Sequence, residues 1–179
     1  IGIDYAKEQV ISLIIALDCG IKALDNTTYA KEMGIDFIIC DHHLPGADLP
    51  QAVAILNPKQ NNCNYPFKDL CGCGIGFKLI EALTQERGLS FEMILPYIDL
   101  VAMAITADIV PILGENRILT YYGLAQIRKN PREGIKLFVT GIKRELNVTD
   151  LVFVIAPRLN AAGRIKHGSL AVELLLSND

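Results

Sequence analysis

The sequence predicts an α/β fold, a parallel sheet with flanking helices followed by a mostly helical segment, and three observations predict it. Residues 12–17 (Ser-Leu-Ile-Ile-Ala-Leu) form a short continuous apolar run that ends in Asp18-Cys19-Gly20, the pattern of a strand buried on both faces. A stretch of helical length follows and leads into a second apolar run, so that strand, helix and strand occur in the order from which parallel sheets are built. Beyond residue 70 the apolar residues recur at helical rather than strand spacing.

Taken in order, the first helix is expected over residues 21–33, with Gly34 as its C-terminal cap. Residues 36–40 (Asp-Phe-Ile-Ile-Cys) are the second strand, and residues 52–56 are the third, stopped by Asn57-Pro58. Residues 58–70 form the longest irregular stretch, and their Asn and Lys content suits a surface. The segment 72–87 places Ile75, Leu79, Ile80 and Leu83 on one helical face and stops at Gly88. Residues 91–107 form a second apolar helix that Pro96 should kink or break. A more amphipathic helix is expected over 116–129, shorter ones over 132–141 and 150–155, the latter with Thr149 as N-cap, and a last one over 169–176. The domain reading is an α/β core over residues 1–112 and a helical extension over 113–179.

Composition narrows the class. At 179 residues, 51% hydrophobic and 21% charged, the chain can bury a substantial core. Its apolar runs fall far short of the roughly 20 residues needed to span a bilayer, and no signal-peptide pattern opens the sequence, so no membrane role and a cytoplasmic location are expected. Five cysteines are an odd number, which favours reduced thiols over disulfides. The net charge of −3 conceals an asymmetry: residues 1–127 carry 8 basic against 15 acidic residues, and residues 128–168 carry 9 against 3. An acidic front that attracts cations and a basic later segment that holds an anion suit metal-dependent phosphate chemistry, although solvated surface charge gives the same balance.

Candidate site residues come from the strand ends. In a right-handed βαβ unit both strands finish on the same edge of the sheet, about 4.8 Å apart if adjacent. Asp18 stands at one end and Asp41-His42-His43 at the other, while Asp108 emerges from a third apolar segment, 105–107. Carboxylates with one or two imidazoles suit Mn²⁺ or Mg²⁺; Zn²⁺ is less suited because no cysteine spacing supports it. Singly, an Asp at a strand end is more often a helix cap and a His a satisfied polar side chain; together the residues point to metal or phosphate. The Cys71-Gly72-Cys73-Gly74-Ile75-Gly76 run lacks a second thiol pair for zinc and is read as close backbone packing at a helix start. Residues 157–164 (Pro-Arg-Leu-Asn-Ala-Ala-Gly-Arg) are read as a turn-like stretch in which Arg158, Asn160 and Arg164 could hold a polynucleotide backbone. His167 is read as a surface residue.

The Asp41-His42-His43 triplet, residues 101–112 (Val-Ala-Met-Ala-Ile-Thr-Ala-Asp-Ile-Val-Pro-Ile), Gly114-Glu115-Asn116-Arg117 and residues 157–164 together resemble the DHH phosphoesterase superfamily, and within it the RecJ single-stranded-DNA-specific exonucleases. The resemblance covers essentially the whole chain in the same order. It implies 5′ to 3′ hydrolysis of single-stranded DNA with Mn²⁺ or Mg²⁺ in a two-metal site, in recombination and repair, with a single-strand-binding protein and a helicase as partners. Carried over by motif, Asp18, His42 and Asp108 would ligate metal, and Asp41 would orient its neighbours. His43 would contact or support the scissile phosphate, and Arg158, Asn160 and Arg164 would hold the DNA. The departure is at the front: no Asp-x-Asp-x-Asp-Gly segment precedes Asp18, and Asp4 stands alone. The chain is therefore expected to be a core fragment with weak metal binding and little activity by itself. Alternatives are a phosphoesterase of oligoribonucleotides or cyclic dinucleotides, and a non-catalytic replication scaffold, against which the retained Asp18, His42 and Asp108 argue.

Overall fold

The computed structural model describes residues 2–165 and 168–177, without the side chains of 162–165. It divides into two compact units, Ile1–Ala82 and Leu83–Asp179.

The first unit opens with helix α1 (Gly2–Glu8), strand β1 (Leu13–Leu17), helix α2 (Leu24–Glu32), and strands β2 (Asp36–Cys40) and β3 (Ala54–Leu56). Among the described residues the sheet has three strands, all parallel, in the order β1-β2-β3. Leu13 pairs with Asp36 and Leu17 with Cys40; on the other side Cys40 pairs with Leu56. The ladder runs one residue past each strand, with the Asp18 amide donating to the Cys40 carbonyl (2.8 Å) and the Asp41 amide to the Leu56 carbonyl (3.1 Å). This extension carries both aspartates out to the same edge, as the βαβ reading requires. Helix α2 ends as expected: Gly34 adopts φ +75°, open to glycine without a Cβ penalty.

Burial of β1 differs from expectation. Ile14 packs with Phe37 against Ala6, Ala30 and Ile35 beneath α1 and α2. The opposite face, Leu13, Ile15 and Leu17, is 42%, 47% and 53% exposed in this chain. On this face the helix Gly72–Glu86 reaches only the end of the strand, where Gly76 approaches Leu17 closely; an unbroken apolar run does not distinguish this case from burial on both sides.

Helix α3 (Gly72–Glu86) begins at the glycine run and closes at Gly88. In the second unit the apolar stretch expected as one helix is broken where Pro96 stands: two short 3₁₀ turns, Phe91–Met93 and Leu95–Tyr97, precede helix α4 (Ile98–Ala107). Helices α5 (Gly114–Lys129) and α6 (Glu133–Val139) follow, then α7 (Val148–Asp150), a π-helical segment Leu151–Ile155, α8 (Ala156–Ile165) and α9 (Ser169–Leu176). Ala102, Met103, Leu124, Ile127, Ile135, Leu146, Leu151 and Ile155 form the core of this unit.

Two local expectations are corrected. The cap of α7 is Asn147, not Thr149: its side chain accepts from the Asp150 amide while the Asp150 carboxylate accepts from the Asn147 amide at 2.9 Å, a reciprocal capping box. Residues 157–164 are helical throughout rather than turn-like. Pro157 lacks an amide and its ring crowds the carbonyl four residues back, yet the helix passes through it. The turn just before it is widened, with the Ala156 amide donating to the Leu151 carbonyl five residues back.

Among the described residues the five cysteines are free thiols, and no helix is long and apolar enough to cross a membrane.

Candidate metal centre

Asp41 is the organising residue at the sheet edge. It is only 1% exposed, and its carboxylate is used entirely within the chain. One oxygen accepts from the Ile21 amide at 2.9 Å. The other accepts from the His42 amide (2.8 Å), the His43 amide (3.1 Å) and the His43 ring at Nδ1 (2.7 Å). Burial works to raise its pKa, but the Ile21 amide and the ring and amide of His43 outweigh it and hold the carboxyl below its ordinary 3.8. Asp41 therefore stays ionised and ties the loop after β2 to the loop after β1.

The ligand-type atoms lie just beyond it. His42 is 7% exposed, and its Nε2 stands 3.2 Å from Asp18 Oδ1. His43 is more open, with its side chain 59% exposed, and its ring meets that of His42 edge-on, centroids 4.6 Å apart. Because the Asp41 carboxylate requires a donor, it keeps the His43 proton on Nδ1 and leaves Nε2 with its lone pair. Asp18, His42 and His43 each offer one ligand atom, all within 4.8 Å of one another. One carboxylate and two imidazoles form a mixed oxygen and nitrogen donor set that fits a divalent cation such as Mn²⁺. Burial, then the charges of Asp41 and Asp18, push the adjacent Cys19 thiol up.

Two further features hold Asp18 in place. Its backbone has φ +63°, the left-handed region that Asp tolerates better than most residues. Against its side chain lies the first residue of α3: a Cβ on Gly72 would fall 2.2 Å from Asp18 Oδ1 and 2.6 Å from its Cβ. The glycine run is thus a close-packed helix start, as its sequence suggested. That the close approach is to Asp18 is new; the Gly-rich signal was legible but its target was not.

The remaining candidates lie in the second unit. Asp108 caps the C-terminus of α4, and the next residue, Ile109, has φ +55°, rare for a β-branched side chain. Helix geometry separates two residues that a turn would have let act together. Asn160 lines a depression with Thr106, Ala107 and Ile109, whereas Arg158 lines another with Lys143, Arg144 and Asp150. Positions two apart on a helix face about 200° away from each other. The Arg164 side chain and His167 lie outside the described residues.

A parallel sheet whose carboxyl edge carries an Asp-His-His triplet facing a strand-end aspartate defines the class. The chain belongs to the DHH family: residues 3–105 match the DHH family, N-terminal domain. Among curated relatives it is similar to the single-stranded-DNA-specific exonuclease RecJ of Bacillus subtilis, 46% identical over 97% of this chain and 22% of that protein. The Escherichia coli RecJ is 40% identical over 99% of this chain and 33% of its own length. The crystal structure of RecJ in complex with Mn²⁺ from Thermus thermophilus superposes with TM-score 0.84 at 31% identity, over 99% of this chain and 27% of that one. The chain thus spans between about a fifth and a third of the curated relatives named here.

Proposed function

We propose that this chain forms the metal-holding part of a single-strand-specific 5′ to 3′ DNA exonuclease. The observation that carries the reading is the Asp18, His42 and His43 cluster, with ligand atoms within 4.8 Å of one another, in a chain so similar to RecJ proteins. Asp18, His42 and His43 would hold a cation, His43 also near the phosphate, and Asp108 would be a metal ligand by its motif. Asp41 would orient the His43 imidazole through its ring nitrogen and the His42 backbone through its amide. Asn160 would hold the strand, with Arg158 contributing from another side of the helix and Arg164 added by its motif. Mn²⁺ or Mg²⁺ held there would supply Lewis acidity toward a water nucleophile and neutralise phosphate charge, in one or two ions. Residues 1–112 act as the phosphoesterase core and 113–179 as its helical extension. A role in repair and recombination in the cytoplasm, alongside a single-strand-binding protein and a helicase, follows from this reading.

The test uses the full-length protein that carries this segment, with Mn²⁺ and 5′-phosphorylated strands. Release of mononucleotides from single-stranded but not duplex DNA is expected, and is lost in Asp18→Ala. Hydrolysis confined to short oligoribonucleotides or cyclic dinucleotides would overturn the reading, as would tight DNA binding without any hydrolysis.

A further inference from the structure

The outer face of α5 carries two exposed tyrosines and an exposed isoleucine. The helix buries Asn116, Leu119, Thr120, Gly123, Leu124 and Ile127. On the outside, Tyr121 and Tyr122 are 68% and 55% exposed, with Ile118 beside them at 57%. The two rings meet at 89° with centroids 5.2 Å apart. An edge-on pair of this kind covers at most one face of one ring, so the faces that remain are open to a flat partner.

The charge of the same face is one-sided. Arg117 lies one turn before Tyr121, Lys129 lies two turns after Tyr122, and no Asp or Glu occurs from residue 116 to residue 129. Glu115 is half-buried in the first turn, and Glu145 is engaged with Arg128, which also donates to the Leu146 carbonyl. Stacking surfaces flanked by cations and free of anions are what single-stranded nucleic acid requires: bases meet the rings, and phosphates meet Arg117 and Lys129. A protein segment would match the apolar part but would need its own anions at both ends.

We propose that this face of α5 is a base-stacking platform for single-stranded DNA, a contact that Tyr121 and Tyr122 make with bases and Arg117 and Lys129 make with the backbone. The assignment rests on the proposed substrate class, and its test measures binding alone so that the two stand or fall separately.

The experiment is equilibrium binding of an oligothymidylate of about twenty nucleotides to the full-length protein in EDTA, where hydrolysis cannot occur. Stacking on tyrosine is expected to quench tyrosine fluorescence, and Tyr121→Ala with Tyr122→Ala to weaken binding about tenfold or more. The Phe pair at the same positions restores affinity, because a ring face is what the base needs. Arg117→Gln with Lys129→Gln flattens the dependence of affinity on salt by roughly two counterions. Unchanged affinity in the alanine pair overturns the assignment, as does an equal loss in the Phe pair or an equal loss on duplex DNA. A DNA-binding protein with no nuclease activity that loses affinity in the alanine pair would refute the exonuclease and keep the platform.

Discussion

Asp41 shows how much one buried carboxylate can fix. It accepts four hydrogen bonds, from the amides of Ile21, His42 and His43 and from the His43 ring. Asp41→Asn puts an amide donor where one of these donors now points, and the metal-free protein is expected to lose about 1–3 kcal/mol at neutral pH. The sign of its pH dependence follows from the lowered pKa. A carboxyl depressed in the folded state adds stability fully above its unfolded pKa, and that contribution fades as pH falls from about 4 through the folded value. Wild-type protein in EDTA should therefore lose more stability than Asp41→Asn over that acid window, measured by urea titration; parallel curves would contradict this role. Gly72 makes the complementary case. A methyl at Gly72 cannot coexist with the present position of Asp18, so Gly72→Ala is expected to displace that carboxylate and weaken Mn²⁺ binding about tenfold, for a stability cost of about 1–3 kcal/mol. Isothermal titration with Mn²⁺ at wild-type affinity would show that the helix start yields instead.

At the level of elements, the second unit depends on one guanidinium. Arg132, at the N-terminus of α6, donates to both oxygens of Asp99 on α4 at 2.7 and 2.8 Å and reaches the carbonyls of Pro96 and Leu175. Asp99 is 2% exposed, so Arg132→Ala leaves its carboxyl group buried without the guanidinium, beside the Leu100 amide. A loss of about 3 kcal/mol is expected in a denaturant midpoint series, and a change below about 1 kcal/mol would mean that water replaces the guanidinium readily. The elements themselves were unevenly legible. β2 coincides with the predicted 36–40 because an apolar run between a polar start and a polar triplet has little freedom of boundary. Residues 157–164 look turn-like in sequence because Pro, Asn and Gly all signal a turn, while the π-turn that lets a helix pass through Pro157 has no periodic signature over so few residues.

For the molecule as a whole, the sequence order of strand, helix and strand was enough to bring Asp18 beside Asp41-His42-His43, and the parallel register bears it out. What stayed hidden were facts of three-dimensional proximity: the contact of Gly72 with Asp18, the exposed outer face of β1, and the opposite directions of Arg158 and Asn160. Relatives that this chain matches over about a fifth to a third of their length include RecJ crystallised with Mn²⁺. The central claim is that Asp18, His42 and His43 form a divalent-cation site. It is tested most directly by Mn²⁺ titration, followed by electron paramagnetic resonance, of the full-length protein and of its His42→Ala variant. Saturable binding that weakens at least tenfold in the variant is predicted; equal Mn²⁺ affinity in the two proteins would contradict the assignment.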